Sequence, residues 1–120
     1  MEKHKVYLIK KSSFTAAHSH EGMLNEAQHT HTFHYEIKLC GFTNNEGFLT
    51  DFRIVEEDMN TLINKELKDK NLNIFLKDPT TEKLAVWIFR RLKDSYGKML
   101  HCVTVYETPQ SAVIYEGEDE

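Results

Sequence analysis

The chain has 120 residues and a mass of 14.1 kDa, which fits one domain spanning residues 1–120. Fifteen basic and nineteen acidic residues give a net charge of −4, which argues against nucleic-acid binding because phosphate groups require a basic surface. No apolar run approaches the ~18 residues of a membrane span, and the N-terminus contains no signal-peptide core. We therefore expect a cytoplasmic protein with no membrane or nucleic-acid partner and with a solvated acidic tail at residues 115–120.

The first half of the chain predicts two strands. Residues 6–17 are rich in apolar and β-branched side chains, and a polar loop follows at residues 18–28. Residues 30–42 alternate between polar and apolar side chains, which is typical of a half-buried strand. A turn at residues 44–47 ends this strand-rich half.

The second half begins with two predicted helices. Asp51 can cap a helix over residues 53–68, in which apolar side chains recur at helical spacing. After a loop at residues 71–78, a second helix begins, with Thr80 or Thr81 as its N-cap. Its apolar stripe is formed by Leu84, Ala85, Ile88 and Leu92, and Gly97 follows its end.

Two short strands, at residues 100–108 and 111–115, close the chain. The order is therefore ββααββ. Because strands joined without a helix pair as antiparallel hairpins, the order predicts an α+β domain with a four-stranded antiparallel sheet. Two helices on one face would leave the edges of this sheet open, so we expect a homo-oligomer.

Histidines cluster around the first predicted hairpin. His29 and His31 stand two positions apart on one strand and therefore face the same side, and His18 ends the neighbouring strand. Three converging imidazoles are the ligand set of a catalytic zinc site. The alternative is that these are ordinary exposed strand residues. His20 is a competing ligand, as is His34, which faces the opposite side and is better explained as a surface residue.

A carboxylate closes the third predicted strand. Strict alternation places Glu107 on the same face as His101, Val103 and Val105. A carboxylate at a strand end is usually solvated. The functional alternative is that Glu107 accepts two parallel N–H bonds from a guanidine-like edge of a ligand.

Five segments occur in the same order as the motifs of one enzyme family. They are Phe14-Thr15-Ala16-Ala17-His18, His29-Thr30-His31, Gly47 to Phe52, Pro79 to Ala85, and Tyr106 to Thr108 with the closing strand Ala112 to Tyr115. The chain resembles, from about residue 5 to residue 117, the 6-pyruvoyltetrahydropterin synthase family, which includes 6-carboxytetrahydropterin synthase of the queuosine pathway.

This resemblance implies a tunnelling fold, in which three subunits close a barrel and two trimers stack into a hexamer. It also implies Zn²⁺ bound by His18, His29 and His31. A pterin would be held by Glu107, with Thr80, Thr81 and Thr108 as further substrate-binding residues. The implied substrate is 7,8-dihydroneopterin triphosphate.

The chain departs from the family pattern at its proton-transfer residues. Asn25 stands where the family has its cysteine base, and Lys68-Asp69 stands in place of an Asp-His pair, which leaves Asp69 as one candidate catalytic residue. Glu26 precedes His29 as in a branch resembling E-x-x-H-G-H, whose members form 6-hydroxymethyl-7,8-dihydropterin for folate synthesis. We therefore predict Glu26 as the catalytic base, the alternative being a solvated loop acid.

Three functions remain open at this stage. The first is a zinc-dependent pterin lyase of the folate branch that uses Glu26. The second is a 6-carboxytetrahydropterin or 6-pyruvoyltetrahydropterin synthase with a changed base, against which the absent cysteine argues. The third is a non-catalytic protein that retains the zinc and the pterin pocket.

Overall fold

Four antiparallel strands form one sheet in the order β1-β2-β3-β4. The computed structural model describes residues 2–20 and 26–120, except for the side chains of His20 and Glu26. The strands are β1 (Lys5–His20), β2 (Glu26–Phe42), β3 (Leu100–Thr108) and β4 (Ser111–Tyr115). The predicted α+β class and ββααββ order are confirmed, and the last two strands have the predicted bounds.

The first hairpin is longer than predicted. Residues 18–20 and 26–28 were expected in a loop, but they extend β1 and β2, and His18 pairs directly with His29. A register shift follows between His18 and His20. The prediction was wrong here because hydrophobic alternation reports the burial of side chains, whereas an exposed hairpin is held by backbone hydrogen bonds between polar residues.

Two helical segments connect the hairpins. The first consists of α1 (Phe52–Met59), a π-helical segment (Asn60–Asn64) and α2 (Lys65–Leu67), and the second is α3 (Thr81–Tyr96). Short 3₁₀ turns occur at Leu72–Ile74 and Gly97–Met99. The Asp51 carboxylate accepts from the Arg53 backbone N–H at 2.8 Å, and Thr80 caps α3 by accepting from the Lys83 N–H at 3.1 Å. Within the described residues, no helix has the length and apolar character needed to cross a membrane.

The π-helical segment is tied to the sheet by a polar network. The Asn64 side-chain amide donates to Ser12 Oγ on β1 at 2.8 Å, and the Tyr35 hydroxyl on β2 donates to Asn64 Oδ1 at 2.8 Å. Burial raises the pKa of Tyr35 well above its usual range, so this hydroxyl stays protonated. The network therefore fixes the helical segment against both strands of the first hairpin.

The core lies between one face of the sheet and the helices. On β2 the buried side chains alternate, and the helical segments contribute apolar stripes at the predicted spacing. The buried residues of these elements include Phe33, Tyr35, Ile37, Leu39, Val55, Met59, Ile63, Leu67, Leu84, Ala85, Ile88, Phe89 and Leu92. The face of the sheet that packs against the helices, which carries Phe33, Tyr35, Ile37 and Leu39 of β2, is called the helix-side face. Ile54 near the start of α1 is apolar but 54% exposed, so it lies outside this core.

The opposite, outer face of the sheet carries polar side chains together with the exposed apolar side chains of Tyr7, Ile9 and Ile114. His34 is exposed there, as predicted, and the neighbouring Tyr106 hydroxyl donates to Glu36 at 2.7 Å. His101 was expected to share the face of Val103 and Glu107, but its Nε2 lies 3.4 Å from the Glu116 carboxylate and its ring contacts the Tyr7 ring at 5.2 Å. The register shift between Lys38 and Leu39 interrupts strict alternation at this point.

The acidic C-terminus folds back onto α3. Arg90 donates through Nε and a terminal nitrogen to both carboxylate oxygens of Glu120, at 2.9 and 3.0 Å, and the Tyr115 hydroxyl donates to Asp119 at 2.6 Å. Gly117 has φ 72° and packs over the Phe89 ring. The tail residues Glu118 to Glu120 are exposed to solvent, and the charge of Glu120 also has a partner on the helix.

Substitution of Gly117 by alanine should loosen this tail. The added Cβ would lie 2.4 Å from Phe89 Cζ, so the tail or the ring must move, at a cost of about 1–3 kcal/mol in the free energy of unfolding. Gly47→Ala is the matched control, since Gly47 also has a positive φ, of 91°, but its Cβ would meet nothing within 4 Å. Urea denaturation that shows equal losses in the two variants would contradict this packing.

Candidate metal and pterin site

Three imidazoles come together at one end of the first hairpin. His18 on β1 pairs with His29 on β2, and His31 follows on the same face two positions later. The ring centroids are 4.4 Å apart for His18 and His29, 6.2 Å for His18 and His31, and 6.3 Å for His29 and His31. The hairpin register thus places all three rings beyond the end of the core, on the helix-side face.

Hydrogen bonds orient two of these rings. His29 Nδ1 lies 3.0 Å from the carbonyl oxygen of Ala27, to which it donates when protonated, and that tautomer leaves a lone pair on Nε2. His29 Nε2 in turn lies 3.0 Å from His18 Nε2. An imidazole that a backbone carbonyl holds through one nitrogen, so that the other carries the lone pair, is a common arrangement for a metal ligand.

The donor set fits zinc in its chemistry. Tetrahedral zinc with bonds of 2.0–2.1 Å separates its ligand nitrogens by about 3.3 Å, a spacing that His18 and His29 approach. Among residues 2–20 and 26–120, however, no three potential ligands form a complete metal-binding group. The His31 ring stands farther from the other two, so it must turn toward them to complete the set.

A second cluster lies where β3 meets α3. Glu107 is exposed near the end of β3, and its carboxylate accepts a hydrogen bond from the hydroxyl of Thr81, the first residue of α3. Thr80 uses its hydroxyl to cap α3, and Thr108 Oγ1 accepts from the backbone N–H of Gln110 at 3.2 Å. Of the four residues predicted to bind substrate, Glu107 and Thr81 are therefore in direct contact, and the other two stabilise the adjacent turns.

The two clusters share a face of the sheet. Tyr106 pairs with His34, and Glu107 follows it one residue later. A register shift between Tyr106 and Thr108 interrupts the alternation at Glu107, but its contact with Thr81 of α3 places its carboxylate on the helix-side face, which is also the side of His31. A carboxylate and three imidazoles thus lie on neighbouring strands and on the same side of the sheet.

Asp69 lies at the open edge of β1. Its backbone N–H donates to the Thr15 carbonyl at 2.7 Å, and the Ala17 N–H donates to the Lys70 carbonyl at 2.9 Å. Asp69 has φ 60°, which marks the tight exit from the helical segment. The Asp69 side chain is exposed, and its backbone lies beside Thr15, three residues before His18 on β1. Its catalytic role stays a prediction.

Two asparagines that the sequence did not single out hold this loop against the histidine strand. Asn73 accepts from the Ser19 backbone N–H at 3.0 Å and donates to the Ser19 carbonyl at 3.3 Å, and Asn71 donates to Gln28 at 3.3 Å. A cavity of about 490 Å³ opens beside Ser19 and residues 73–78. In the sequence, these contacts were indicated only by the two asparagines within residues 71–73, a residue type that is common in hydrogen-bonded loops.

The predicted base lies at the boundary of the described structure. The backbone of Glu26 begins β2 and pairs with His20, whereas its side chain is outside the described part. Asn25, which occupies the position of the family's cysteine, also lies outside the described residues. The assignment of Glu26 therefore continues to rest on its spacing from His29.

Comparison with known proteins gives a consistent result. The family described as 6-pyruvoyl tetrahydropterin synthase matches residues 7–118. A dihydroneopterin monophosphate aldolase from Pyrococcus furiosus is 35% identical over 74% of this chain and 76% of its own length. A 6-carboxy-5,6,7,8-tetrahydropterin synthase from Synechocystis is 33% identical over 90% of this chain and 91% of its own.

Solved structures agree on the fold. The 6-pyruvoyl tetrahydropterin synthase of Caenorhabditis elegans superposes with a TM-score of 0.83 at 24% identity, over 95% of this chain and 96% of that one. The Plasmodium vivax protein of the same description was solved as a variant in which a catalytic glutamate is replaced by alanine. It superposes with a TM-score of 0.74 at 18% identity, over 93% and 97% of the two chains.

Proposed function

The chain belongs to the 6-pyruvoyl tetrahydropterin synthase family, and from this premise we propose that it is a zinc-dependent pterin lyase. Its substrate is 7,8-dihydroneopterin triphosphate, and its product is 6-hydroxymethyl-7,8-dihydropterin, an intermediate for folate synthesis. The observation that carries the proposal is the placement of three imidazoles and Glu107 on one face of adjacent strands. The relative named as an aldolase supports carbon–carbon cleavage as the reaction class.

His18, His29 and His31 are the residues that would hold the zinc. When bound, zinc supplies Lewis acidity, which lowers the pKa of a coordinated substrate hydroxyl. The hairpin contributes the preorganisation, because His29 is held through Nδ1 and faces His18 before any ligand arrives.

Glu107 orients the pterin ring. A carboxylate accepts two parallel N–H bonds, which matches the amino group and ring N–H of a pterin. The hydrogen bond from Thr81 fixes the direction of this carboxylate. A pterin ring held in this way directs the side chain of the substrate along the helix-side face toward the three histidines.

Glu26 acts as the base in this proposal. It takes the proton from the second hydroxyl of the substrate side chain, and the oxygen becomes the carbonyl of the departing phosphorylated two-carbon aldehyde. The electron pair of the broken carbon–carbon bond stays with the pterin side, and a proton returned to that carbon leaves a hydroxymethyl group. The catalytic glutamate of the Plasmodium vivax protein supports a carboxylate in such a role.

Two other functions have specific support. The Synechocystis relative favours 6-carboxytetrahydropterin synthesis for queuosine, although the Asn25 amide cannot accept a proton as the family's cysteine does. Retained histidines and Glu107 beside an altered relay at Lys68-Asp69 favour a non-catalytic pterin-binding protein. A 6-pyruvoyltetrahydropterin synthase with a changed base is a variant of the first alternative, the synthase.

Product analysis separates the three functions. Zinc-loaded protein is incubated with 7,8-dihydroneopterin triphosphate, and with the monophosphate in parallel, and the pterins are resolved by chromatography. We expect 6-hydroxymethyl-7,8-dihydropterin. A 6-carboxy or 6-pyruvoyl product would contradict the lyase, and saturable binding without turnover would support the binding protein.

We further propose that the chain assembles as a hexamer, a dimer of trimers. The loop after α2 bonds to β1 at Thr15, Ala17 and Ser19, which leaves the N-terminal half of β1 and the whole of β4 available for pairing with other copies. Ile114 on β4 and Tyr7 on β1 are 62% and 53% exposed in the single chain. Light scattering at micromolar concentration should show six subunits, and a monomer would contradict the assembly.

A further inference from the structure

We propose that Phe33 is a positioning residue for the metal, whose ring sets the orientation of His18 and His31. This inference rests on the proposed function, because it assumes that the three histidines bind zinc. It assigns a role to a core residue that is not itself a metal ligand.

The geometry around Phe33 connects it to two of the three ligands. The His18 ring stands edge-on to the Phe33 ring at 5.2 Å between centroids and 73° between planes. The His31 ring stands edge-on to it at 4.7 Å and 85°. Edge-to-face contact is a preferred arrangement of aromatic rings, so one phenyl ring restricts the rotation of both imidazoles.

Phe33 is itself held rigidly. Its side chain is 5% exposed and stacks on the Phe14 ring at 5.4 Å with 21° between planes. Phe14 also contacts Tyr35 at 5.9 Å, and the Tyr35 hydroxyl is anchored by Asn64. The orientation of the histidines is therefore connected to the core by a continuous series of packed rings.

The three ligands differ in what orients them. His29 is directed by the carbonyl of Ala27, His31 packs against Phe33, and His18 contacts both Phe33 and His29 Nε2. Removing the ring would take this packing restraint from two imidazoles, and the metal would have to order them on binding. Ordering that is completed before binding raises affinity, because the ligands lose less freedom when the metal arrives.

The test compares Phe33→Leu with Phe14→Leu. Both residues are almost fully buried and stack on each other, but Phe14 has no ring contact with a histidine among the described residues. Affinity for Co²⁺ and Zn²⁺ is measured by competition with a chelator, and the visible spectrum of Co²⁺ reports the ligand geometry. We expect Phe33→Leu to weaken metal binding about 10–100-fold and to change the cobalt spectrum. Phe14→Leu reaches the histidines through Phe33, so it should weaken metal binding less and change the spectrum less than Phe33→Leu does.

Two further variants keep the outcome decisive. Phe33→Met replaces Phe33→Leu if the latter does not fold, since methionine adapts to irregular core space, and the same loss is expected. Phe33→Tyr keeps the ring and should retain the affinity. Equal affinities in Phe33→Leu and Phe14→Leu would overturn the role of Phe33. By contrast, His29→Ala protein that still binds the metal at full strength would overturn the proposed zinc site itself.

Discussion

Replacement of Glu26 by glutamine should lower the rate of 6-hydroxymethyl-7,8-dihydropterin formation by about 10²–10⁴-fold, the usual contribution of a general base. Glutamine has nearly the same shape but cannot accept the proton of the substrate hydroxyl. Zinc content and pterin affinity should remain near the wild-type values, because neither depends on this carboxylate. Single-turnover kinetics with 7,8-dihydroneopterin triphosphate gives the rate of the chemical step.

Glu57→Gln is the matched control, since Glu57 is an exposed carboxylate on α1 that belongs to neither the histidine cluster nor the Glu107 cluster. It should turn over substrate at the wild-type rate. If Glu26→Gln were as fast as the wild type, the mechanism would be wrong and Asp69 would be the next candidate. Its position beside Thr15 puts it at the edge of the strand that carries His18.

Removal of the Glu107 carboxylate should weaken pterin binding roughly tenfold to a few hundredfold, because a hydrogen bond to a charged group contributes about 1.5–3 kcal/mol. The ring's amino and N–H donors would lose their acceptor in Glu107→Ala. Fluorescence titration with a non-reactive pterin measures the affinity directly. Zinc content should not change, since the predicted ligands are on β1 and β2.

Thr81→Val provides a graded comparison for Glu107. It removes the hydroxyl that donates to Glu107 but keeps the carboxylate, so its loss of affinity should be smaller than that of Glu107→Ala. Wild-type pterin affinity in Glu107→Ala would refute the anchoring role. An equal loss in both variants would indicate that Thr81 itself contacts the ring.

Much of the fold could be predicted from periodicity and capping. The alternation of β2, the spacing of Met59, Ile63 and Leu67, and the helix start after Pro79 all reflect burial against one face. The fold predictions failed where backbone pairing determines the structure and the hydrophobic pattern of the sequence does not report it. The extended hairpin and the register shift near His101 are of this kind.

The site was predictable to a similar extent. Two histidines at i and i+2 share a face on any strand, and a hairpin partner brings His18 to them. The Thr81–Glu107 contact joins residues 26 positions apart, and Asn73 meets Ser19 across 54 positions. Such contacts depend on how α3 and the loop pack on the sheet, which no local pattern in the sequence specifies.

Metal analysis of the wild-type protein beside a His29→Ala/His31→Ala variant tests the zinc site most directly. We expect about one zinc per subunit in the wild type, in accordance with three protein ligands and one open position, and almost none in the variant. Circular dichroism confirms that the variant is folded. Undiminished zinc in a folded double variant would contradict the assignment of His18, His29 and His31 as the metal ligands.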